Sequence, residues 1–239
     1  MVDYQSALEK PFTDIKKLLI GIILSILPII NWFAIGFYIK CSGVGKTKPS
    51  NKMPEWKNFG DLFTKGFISV AICLIYLLPA LIFAILSIGP LIISFLKSIP
   101  AEQLATQAPE KAAEILQPLL QNMIPSILAV IPFIIITVLL LLLALYVYPM
   151  AILSYLEKER FADAFKFGKI FKKAFTGKYF VACLVLILVL WVLSLLDYIP
   201  WVGMPAVRFI LGVITYSLFG QIYLNKEVKK EKLKIKRKR

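Results

Sequence analysis

The sequence predicts an all-α fold, a polytopic helical bundle embedded in a membrane. Five long stretches lack charge, namely residues 18–39, 66–96, 115–156, 179–196 and 209–225. A helix needs about 20 mostly apolar residues to cross a hydrocarbon core about 30 Å thick. The chain is also 59% hydrophobic, whereas soluble domains are about 45–50% apolar. A membrane is therefore the predicted environment of this chain.

Basic residues are unevenly distributed among the connectors. Lys and Arg together number six in residues 40–65, seven in 157–178 and nine in 225–239, against two in 97–123 and one in 197–208. Connectors rich in Lys and Arg remain on the cytoplasmic side of a membrane. We therefore predict a multi-pass plasma-membrane protein with a cytoplasmic C-terminus. Because the basic residues are divided among separate connectors in the sequence, we predict that the chain does not bind nucleic acid.

The first apolar run, Leu18–Ile39, leaves two interpretations open. Pro28 and Asn31 divide it into arms of about ten residues, each long enough for about half the bilayer depth. Lysines flank both ends of the run, which favours a re-entrant hairpin with the N-terminus inside. The alternative is a fifth, kinked span with the N-terminus outside.

Four full spans follow this first run. Residues 66–96 are too many for one perpendicular span, and Gly89-Pro90 offers a break, so we predict a span near Gly66–Ile88 and then a segment along the outer interface. Residues 109–122 alternate apolar and polar side chains at helical spacing, which predicts an interfacial amphipathic helix. The remaining spans are predicted near Ser126–Met150, Tyr179–Leu196 and Pro205–Leu224. Residues 1–224 would then be a single membrane-embedded domain, followed by a basic tail at 225–239 with too little apolar content to pack.

The two large cytoplasmic connectors resemble each other and indicate a weak internal repeat around residues 55–88 and 167–196. Phe59–Thr64 matches Phe171–Thr176 at a constant offset of 112. Both segments place aromatic residues at helical spacing among lysines, which is typical of helices that lie in the lipid headgroup plane. We therefore predict that anionic lipid headgroups bind the lysines of the second connector, Lys166, Lys169, Lys172, Lys173 and Lys178. The alternative is that these lysines only determine topology.

Groups that could carry chemistry are scarce. Asp197 and Arg208 are eleven positions apart across a turn, and we predict that they form a buried ion pair at the outer end of the last hairpin. The chain has no histidine, no CxxC spacing and no phosphate-binding loop of the G-x-x-x-x-G-K-[ST] type. The sequence therefore predicts no catalytic residue, no metal and no cofactor, and a protein that is not an enzyme.

Three segments carry a resemblance to a known family. They are Asp3-Tyr4-x-x-Ala7-Leu8-x-x-Pro11-Phe12, Pro28-Ile-Ile-Asn31 and Pro54-Glu55-Trp56-x-Asn58-Phe59-Gly60-Asp61. Together they resemble an uncharacterised family of small archaeal and bacterial multi-span membrane proteins, a domain of unknown function. The second half, with Tyr148–Ala151 leading to Phe161–Phe165, is similar to prokaryotic membrane domains such as that attached to some glycerophosphodiester phosphodiesterases. This resemblance implies a fold and a location but no activity.

Two classes of function stay open at this point. The first is a non-catalytic membrane component that organises lipid or partner proteins through its basic cytoplasmic surface. The second is a small channel or transporter, in a homo-oligomer or alone. The weak repeat and the broken first run favour transport, because discontinuous helices can supply ion-binding helix ends. The scarcity of buried polar residues opposes it.

Overall fold

The computed structural model describes residues 2–45, 50–98 and 112–237, and it describes side chains within these ranges except at 97–98, 112–123 and 225–237. This part of the chain contains eight α-helices and no β-strand, as the all-α prediction requires. The helices are α1 (Tyr4–Glu9), α2 (Ile15–Leu24), α3 (Asn31–Lys40), α4 (Phe59–Ser98), α5 (Ala112–Lys158), α6 (Phe167–Ala174), α7 (Gly177–Leu193) and α8 (Gly203–Arg237). Short 3-10 helices occupy Lys10–Phe12, Phe161–Phe165 and Ser194–Tyr198.

Four helical segments are long and apolar enough to cross a membrane. They are Phe59–Leu96, Ile124–Lys158, Gly177–Tyr198 and Gly203–Leu224. Many of their large apolar side chains are exposed, for example Leu188 and Trp191. Exposed apolar surface of this extent is unfavourable in water and favourable in lipid. The predicted four-span helical bundle is confirmed, and these helices indicate a multi-pass membrane protein.

Several helix boundaries differ from those predicted. Helix α4 continues through Gly89-Pro90 to Ser98, so the predicted break is wrong. A proline inside a membrane helix removes one hydrogen bond without ending the helix when local adjustments satisfy the freed carbonyl. Helix α5 is continuous from Ala112, so residues 112–122 do not form a separate interfacial helix, and 109–111 lie outside the described residues. Helix α8 extends past the predicted end of the last span to Arg237.

The two segments that match in sequence adopt different backbone conformations. Phe59–Thr64 opens the continuous helix α4, whereas Phe171–Thr176 ends α6 and leaves the helical conformation. Phe175 has a ψ of 65° and Thr176 is extended, with a ψ of 141°. The aromatic residues match because both segments lie beside a span, but only the second contains a corner between two helices.

The chain divides into two compact units where the sequence predicted one domain over residues 1–224. The first comprises Met1–Leu74 and Tyr146–Arg239, and we name it the core unit. The second comprises Ile75–Leu145 and consists of parts of α4 and α5. Within it, the hydroxyl oxygens of Ser94 and Ser126 are 3.1 Å apart and link the two helices. The groups discussed below all belong to the core unit.

The first apolar run folds into a helical hairpin and does not form one crossing helix. Helices α2 and α3 have ten residues each, which gives each a length of about 15 Å. Lys10, before α2, donates a hydrogen bond of 2.8 Å to the carbonyl of Cys41, after α3. The Trp56 indole donates to the carbonyl of Lys17 at 3.2 Å, and its ring stacks on Phe37 with 3.9 Å between centroids. The two ends of the run therefore lie together, as in the hairpin interpretation.

Glycines allow α3 to pack closely against α4 and α8. A Cβ added at Gly36 would lie 1.9 Å from the carbonyl oxygen of Leu62, and one added at Gly66 would lie 1.9 Å from that of Trp32. Beyond the end of α3, Gly220 faces the carbonyl of Ser42 in the same way, at 2.0 Å. Small residues at such crossings bring membrane helices into backbone contact. The short helix α3 is therefore held by contacts at the level of the backbone.

Candidate functional site

The connectors predicted to be cytoplasmic meet at one end of the core unit. Lys40, at the end of α3, donates to the Asp61 carboxylate in the first turn of α4 at 2.9 Å. Lys65 pairs with Asp61 and also with Glu159, just after α5, at 3.2 Å. We name this end the basic end, and it is formed by residues 2–17, 40–45, 50–65, 157–178 and 221–224. The structure brings the predicted connectors together, and the side of the membrane that they face stays a prediction.

The ion pairs that Asp61 and Glu159 form with Lys40 and Lys65 line a pocket of about 390 Å³. Two residues of this pocket, Asn58 and Glu159, have φ values of 56° and 52°. This left-handed region costs most residues with a Cβ about 1–2 kcal/mol, and asparagine adopts it more readily than glutamate does. These two turns place Asp61 at the start of α4 and Glu159 beyond the end of α5, within reach of Lys65. Because each charge of the pocket has a partner of opposite sign, we interpret the group as an ion-pair network that joins three segments.

A second polar cluster fixes α6 against α5 and α8. Lys173 is only 4% exposed, and its ammonium lies 3.0 Å from the ring centroid of Tyr223. The hydroxyl of Tyr223 donates to the Glu157 carboxylate, which also pairs with Lys169. A desolvated cation over an aromatic ring contributes about 2 kcal/mol or more. Two of the five lysines predicted to bind lipid, Lys169 and Lys173, are therefore partly or fully buried in contacts with Glu157 and Tyr223.

We predict that replacing Lys173 by methionine lowers the melting temperature in detergent by about 4–8 °C. Methionine retains the apolar stem of Lys173 but loses the cation over Tyr223, worth about 2 kcal/mol, and each kcal/mol shifts the melting temperature of a chain of this size by about 2–4 °C. The matched control is Lys172→Met, since Lys172 is the exposed neighbour on the same helix. Equal melting temperatures for the two variants would contradict the assigned role of Lys173.

The other three predicted lysines, Lys166, Lys172 and Lys178, are exposed. Lys166 pairs with Asp163, and this hydrogen bond, assisted by one from Arg160, holds the pKa of the Asp163 carboxyl below its usual value. The pair fixes the 3-10 turn that precedes α6. These three lysines therefore place their charge at the surface before α6, within it and after it.

Aromatic rings lie beside these exposed lysines. Phe167, Phe171 and Phe175 form a row along α6, with successive ring centroids 6.2 Å and 5.7 Å apart. Phe167 and Phe175 are exposed over half or more of their surface. Ile170 and Ala174 form the buried side of the same helix. The outward side of α6 therefore carries both phenylalanine rings and ammonium groups, in place of polar side chains alone.

The predicted buried pair of Asp197 and Arg208 is not formed. Both residues lie in the part of the chain that the structure describes, both are exposed, and no salt bridge joins them. A long arginine side chain near a helix end can reach the polar surface without a partner, so burial is avoided and pairing is not required. The turn between them exposes the rings of Tyr198 and Trp201 almost completely. Such rings are typical of a membrane–water interface.

Sequence reasoning missed the acidic residues and the tyrosine that organise the basic end. Asp61 and Lys65 are spaced i, i+4 at the start of an apolar run, and this spacing is a recognisable signal for a helix-surface pair. Glu157 and Tyr223 are 66 positions apart, and neither has a local pattern that connects it to the other.

Comparison with known protein families shows which family contains this arrangement. The sequence matches the family described as protein of unknown function (DUF4013) over residues 19–202, which is more than half of the chain. The chain belongs to the DUF4013 family. The match begins within α2 and ends directly before α8, so the family region includes most of the hairpin, the ion-pair network and α6. Comparisons of this DUF4013 protein with curated proteins and with solved structures gave no significant match.

Proposed function

We propose that this DUF4013 protein is a non-catalytic component of the plasma membrane that binds anionic lipid headgroups through α6. The observation that carries the proposal is that exposed phenylalanines and exposed lysines lie together on α6 and directly beside its two ends. Phe167 and Phe175 supply apolar area for the acyl boundary, and Lys172 supplies charge for the headgroups. A helix with both features gains from apolar burial and from attraction to anionic lipid.

The orientation in this proposal places the basic end on the cytoplasmic side. The connectors with six and seven basic residues, 40–65 and 157–178, meet there, and the last span ends there. Retention of basic connectors in the cytoplasm supports this orientation, as does the abundance of anionic lipid in the cytoplasmic leaflet. The C-terminus is then cytoplasmic as well.

The α2–α3 hairpin is re-entrant in this arrangement. Its tip exposes apolar side chains, among them Leu27 and Ile29. Near the tip, the backbone N–H of Asn31 donates to the carbonyl of Leu27 at 2.8 Å, and the Ser25 hydroxyl donates to that of Gly21 at 2.7 Å. Internal hydrogen bonds of this kind lower the cost of placing a turn in hydrocarbon. An apolar tip supports immersion in lipid more than it supports an ion pathway, so the transporter alternative receives no support here.

The proposal includes no hydrolytic activity. The likeness of the second half to membrane domains attached to some glycerophosphodiester phosphodiesterases stays a prediction, as do a prokaryotic origin and assembly with a membrane partner or a second copy. The lipid-binding role depends on α6 alone. Its test therefore does not depend on the origin of the protein, on its assembly or on the likeness of its second half to other membrane domains.

We expect that replacing Lys166, Lys172 and Lys178 together by glutamine weakens retention of phosphatidylglycerol by up to about 100-fold. Each lysine near an anionic surface contributes about 1 kcal/mol, so three contribute about 3 kcal/mol. Native mass spectrometry of the protein from mixed phosphatidylglycerol and phosphatidylcholine micelles measures the lipid retained by each variant. Raising the salt concentration should reduce the retention by wild type, because exposed charges are screened beyond about 8 Å at physiological salt.

The matched control removes three charges from the same end but away from α6. Lys16, Lys52 and Lys57 are exposed and suit this purpose, so each is replaced by glutamine. The proposal predicts a much smaller loss of phosphatidylglycerol in this control than in the α6 variant. If both variants lost the same amount of phosphatidylglycerol, the loss would reflect net charge alone. If wild type retained the two lipids equally, the proposal would be wrong.

A further inference from the structure

A small polar cavity of about 160 Å³ lies at the basic end, separate from the charged pocket. It is formed by the N-terminal segment, by the end of the α2–α3 hairpin, by residues 50–51 and by α8. Its polar lining includes Asp3, Ser6, Lys10, Ser42, Ser50 and Gln221. One water molecule requires only about 10–15 Å³, and the cavity is much larger than this. A compact polyatomic group therefore has room in it.

Lys10 places a positive charge in this cavity without a carboxylate to balance it. The residue is only 4% exposed, and its ammonium makes one hydrogen bond, to the Cys41 carbonyl at 2.8 Å. No salt bridge to Lys10 occurs among the residues that the structure describes. An ammonium carries three donors, so two of them remain for another acceptor. Burial lowers the pKa of Lys10, the direction expected for a cation that lacks a counter-charge.

The one carboxylate in the cavity lining is used elsewhere. Asp3 accepts the backbone N–H of Ser6 at 3.0 Å and so caps α1. The N–H of Asp3 donates to the side-chain oxygen of Gln221 at 2.7 Å, and the Gln221 amide donates back to the Asp3 carbonyl at 3.1 Å. These contacts fix the N-terminal segment to α8 and hold Asp3 outside salt-bridge distance of Lys10.

Two serine hydroxyls add donors to the same cavity. The Ser42 oxygen accepts the N–H of Val44 at 3.3 Å, and the Ser50 oxygen accepts the N–H of Lys52 at 3.1 Å. A hydroxyl that accepts a backbone hydrogen bond keeps its own proton for donation. The cavity thus combines an ammonium with hydroxyl donors, and its one carboxylate does not pair with that ammonium. A buried cation of this kind is unfavourable unless an opposite charge joins it.

We propose that this cavity binds one phosphate group, with Lys10 as its counter-charge and Ser42 and Ser50 as hydrogen-bond donors. Phosphate offers a compact charge and several acceptor oxygens, which suit one ammonium and two hydroxyls. The phosphate belongs either to a lipid headgroup or to free inorganic phosphate. The inference is independent of lipid binding by α6, because it depends on different residues and on one defined site per chain.

The test measures phosphate binding to the full-length protein in detergent. One arm titrates sodium phosphate by calorimetry, against sodium chloride of equal ionic strength. The other measures retained phosphatidylglycerol by native mass spectrometry. The variants are Lys10→Met and Ser42→Ala, and the control is Lys16→Met, an exposed lysine nearby. Wild type should bind one phosphate group per chain in one of the two arms. Lys10→Met should weaken that binding at least tenfold, Ser42→Ala should weaken it several-fold, and Lys16→Met should leave it unchanged.

The arm that responds identifies the source of the phosphate. Saturable binding of sodium phosphate indicates the free ion, whereas retention of a single phosphatidylglycerol that depends on Lys10 indicates a headgroup. Absence of binding at one per chain in both arms would overturn the proposal, and so would wild-type affinity in Lys10→Met. If Lys10→Met does not fold, Ser42→Ala decides, since an alanine there removes one donor without disturbing the buried lysine. Wild-type affinity in Ser42→Ala would then reject the site.

Discussion

Replacing Gly66 by alanine is expected to lower the free energy of unfolding by about 1–3 kcal/mol, and replacing it by leucine should cost more. The added Cβ would lie 1.9 Å from the carbonyl oxygen of Trp32, a backbone atom that cannot move without displacing α3. The measurement is thermal unfolding in detergent, where a shift of about 2–4 °C is expected per kcal/mol. Gly36→Ala should have the same effect, because Gly36 faces the Leu62 carbonyl at the reciprocal position.

Gly60 is the matched control for this prediction. It lies on the same helix as Gly66, and a Cβ added there would meet no heavy atom within 4 Å. Alanine at position 60 is therefore expected to leave stability unchanged or to raise it by up to about 1 kcal/mol, because glycine disfavours helix. If Gly60→Ala and Gly66→Ala unfolded at the same temperature, the close crossing of α3 and α4 would be wrong.

Replacing Asp61 by asparagine is expected to lower the free energy of unfolding by about 2–3 kcal/mol. Asp61 accepts from both Lys40 and Lys65, and the Lys65 side chain is only 10% exposed. Loss of one partner from a fully buried pair costs about 3–5 kcal/mol. The expected cost is smaller here because the Asp61 side chain is 39% exposed and Lys65 keeps Glu159. Thermal unfolding in detergent measures this difference.

Two further variants separate a lost ion pair from other effects of this substitution. Asp197→Asn removes an exposed carboxylate at the other end of the last hairpin, and we expect a change within about 0.5 kcal/mol. In the Asp61→Asn background, Lys40→Met removes the ammonium whose carboxylate partner is lost, so it should restore part of the lost stability. Further destabilisation by Lys40→Met in that background would contradict the assigned pairing of Lys40 with Asp61.

The spans could be predicted from sequence because charged residues are unfavourable in hydrocarbon. Each span is therefore visible as a continuous run of uncharged residues. The uncharged run near Tyr179–Leu196 corresponds to α7 and the following 3-10 helix for this reason. The break expected at Gly89-Pro90 was wrong because helix continuity at a proline depends on whether the surrounding structure satisfies one carbonyl. No residue near Pro90 encodes that outcome.

The hairpin could be predicted as one of two alternatives, and tertiary contacts distinguish them. Pro28 and basic flanks are compatible with a kinked span or with a hairpin. The bond from Lys10 to the Cys41 carbonyl joins residues 31 positions apart, and it excludes a single crossing helix. Such a contact has no local sequence signal, because its two partners are a lysine in a polar segment and a backbone carbonyl.

The candidate site could be predicted only in part. Positive charge beside aromatic residues indicated α6, but burial divides its lysines in a way that spacing alone does not reveal. Lys173 is buried against Tyr223, whereas Lys172, its neighbour, is exposed. That division depends on how α6 packs against α8, which brings together two residues that lie far apart in the sequence. Local spacing therefore cannot separate the buried lysine from its exposed neighbour.

Four single cysteines, in a background without Cys41, Cys73 and Cys183, test most directly whether the basic end is cytoplasmic and whether the first apolar run is re-entrant. The probe positions are Gln5, Lys57, Lys172 and Trp201, which are all exposed. A thiol reagent that cannot cross the membrane is added to intact cells and to inverted vesicles. We predict that cysteines introduced at Gln5, Lys57 and Lys172 react only in inverted vesicles, and that a cysteine introduced at Trp201 reacts only in intact cells. Reaction of Gln5 together with Trp201 in intact cells would contradict the hairpin and the shared basic end.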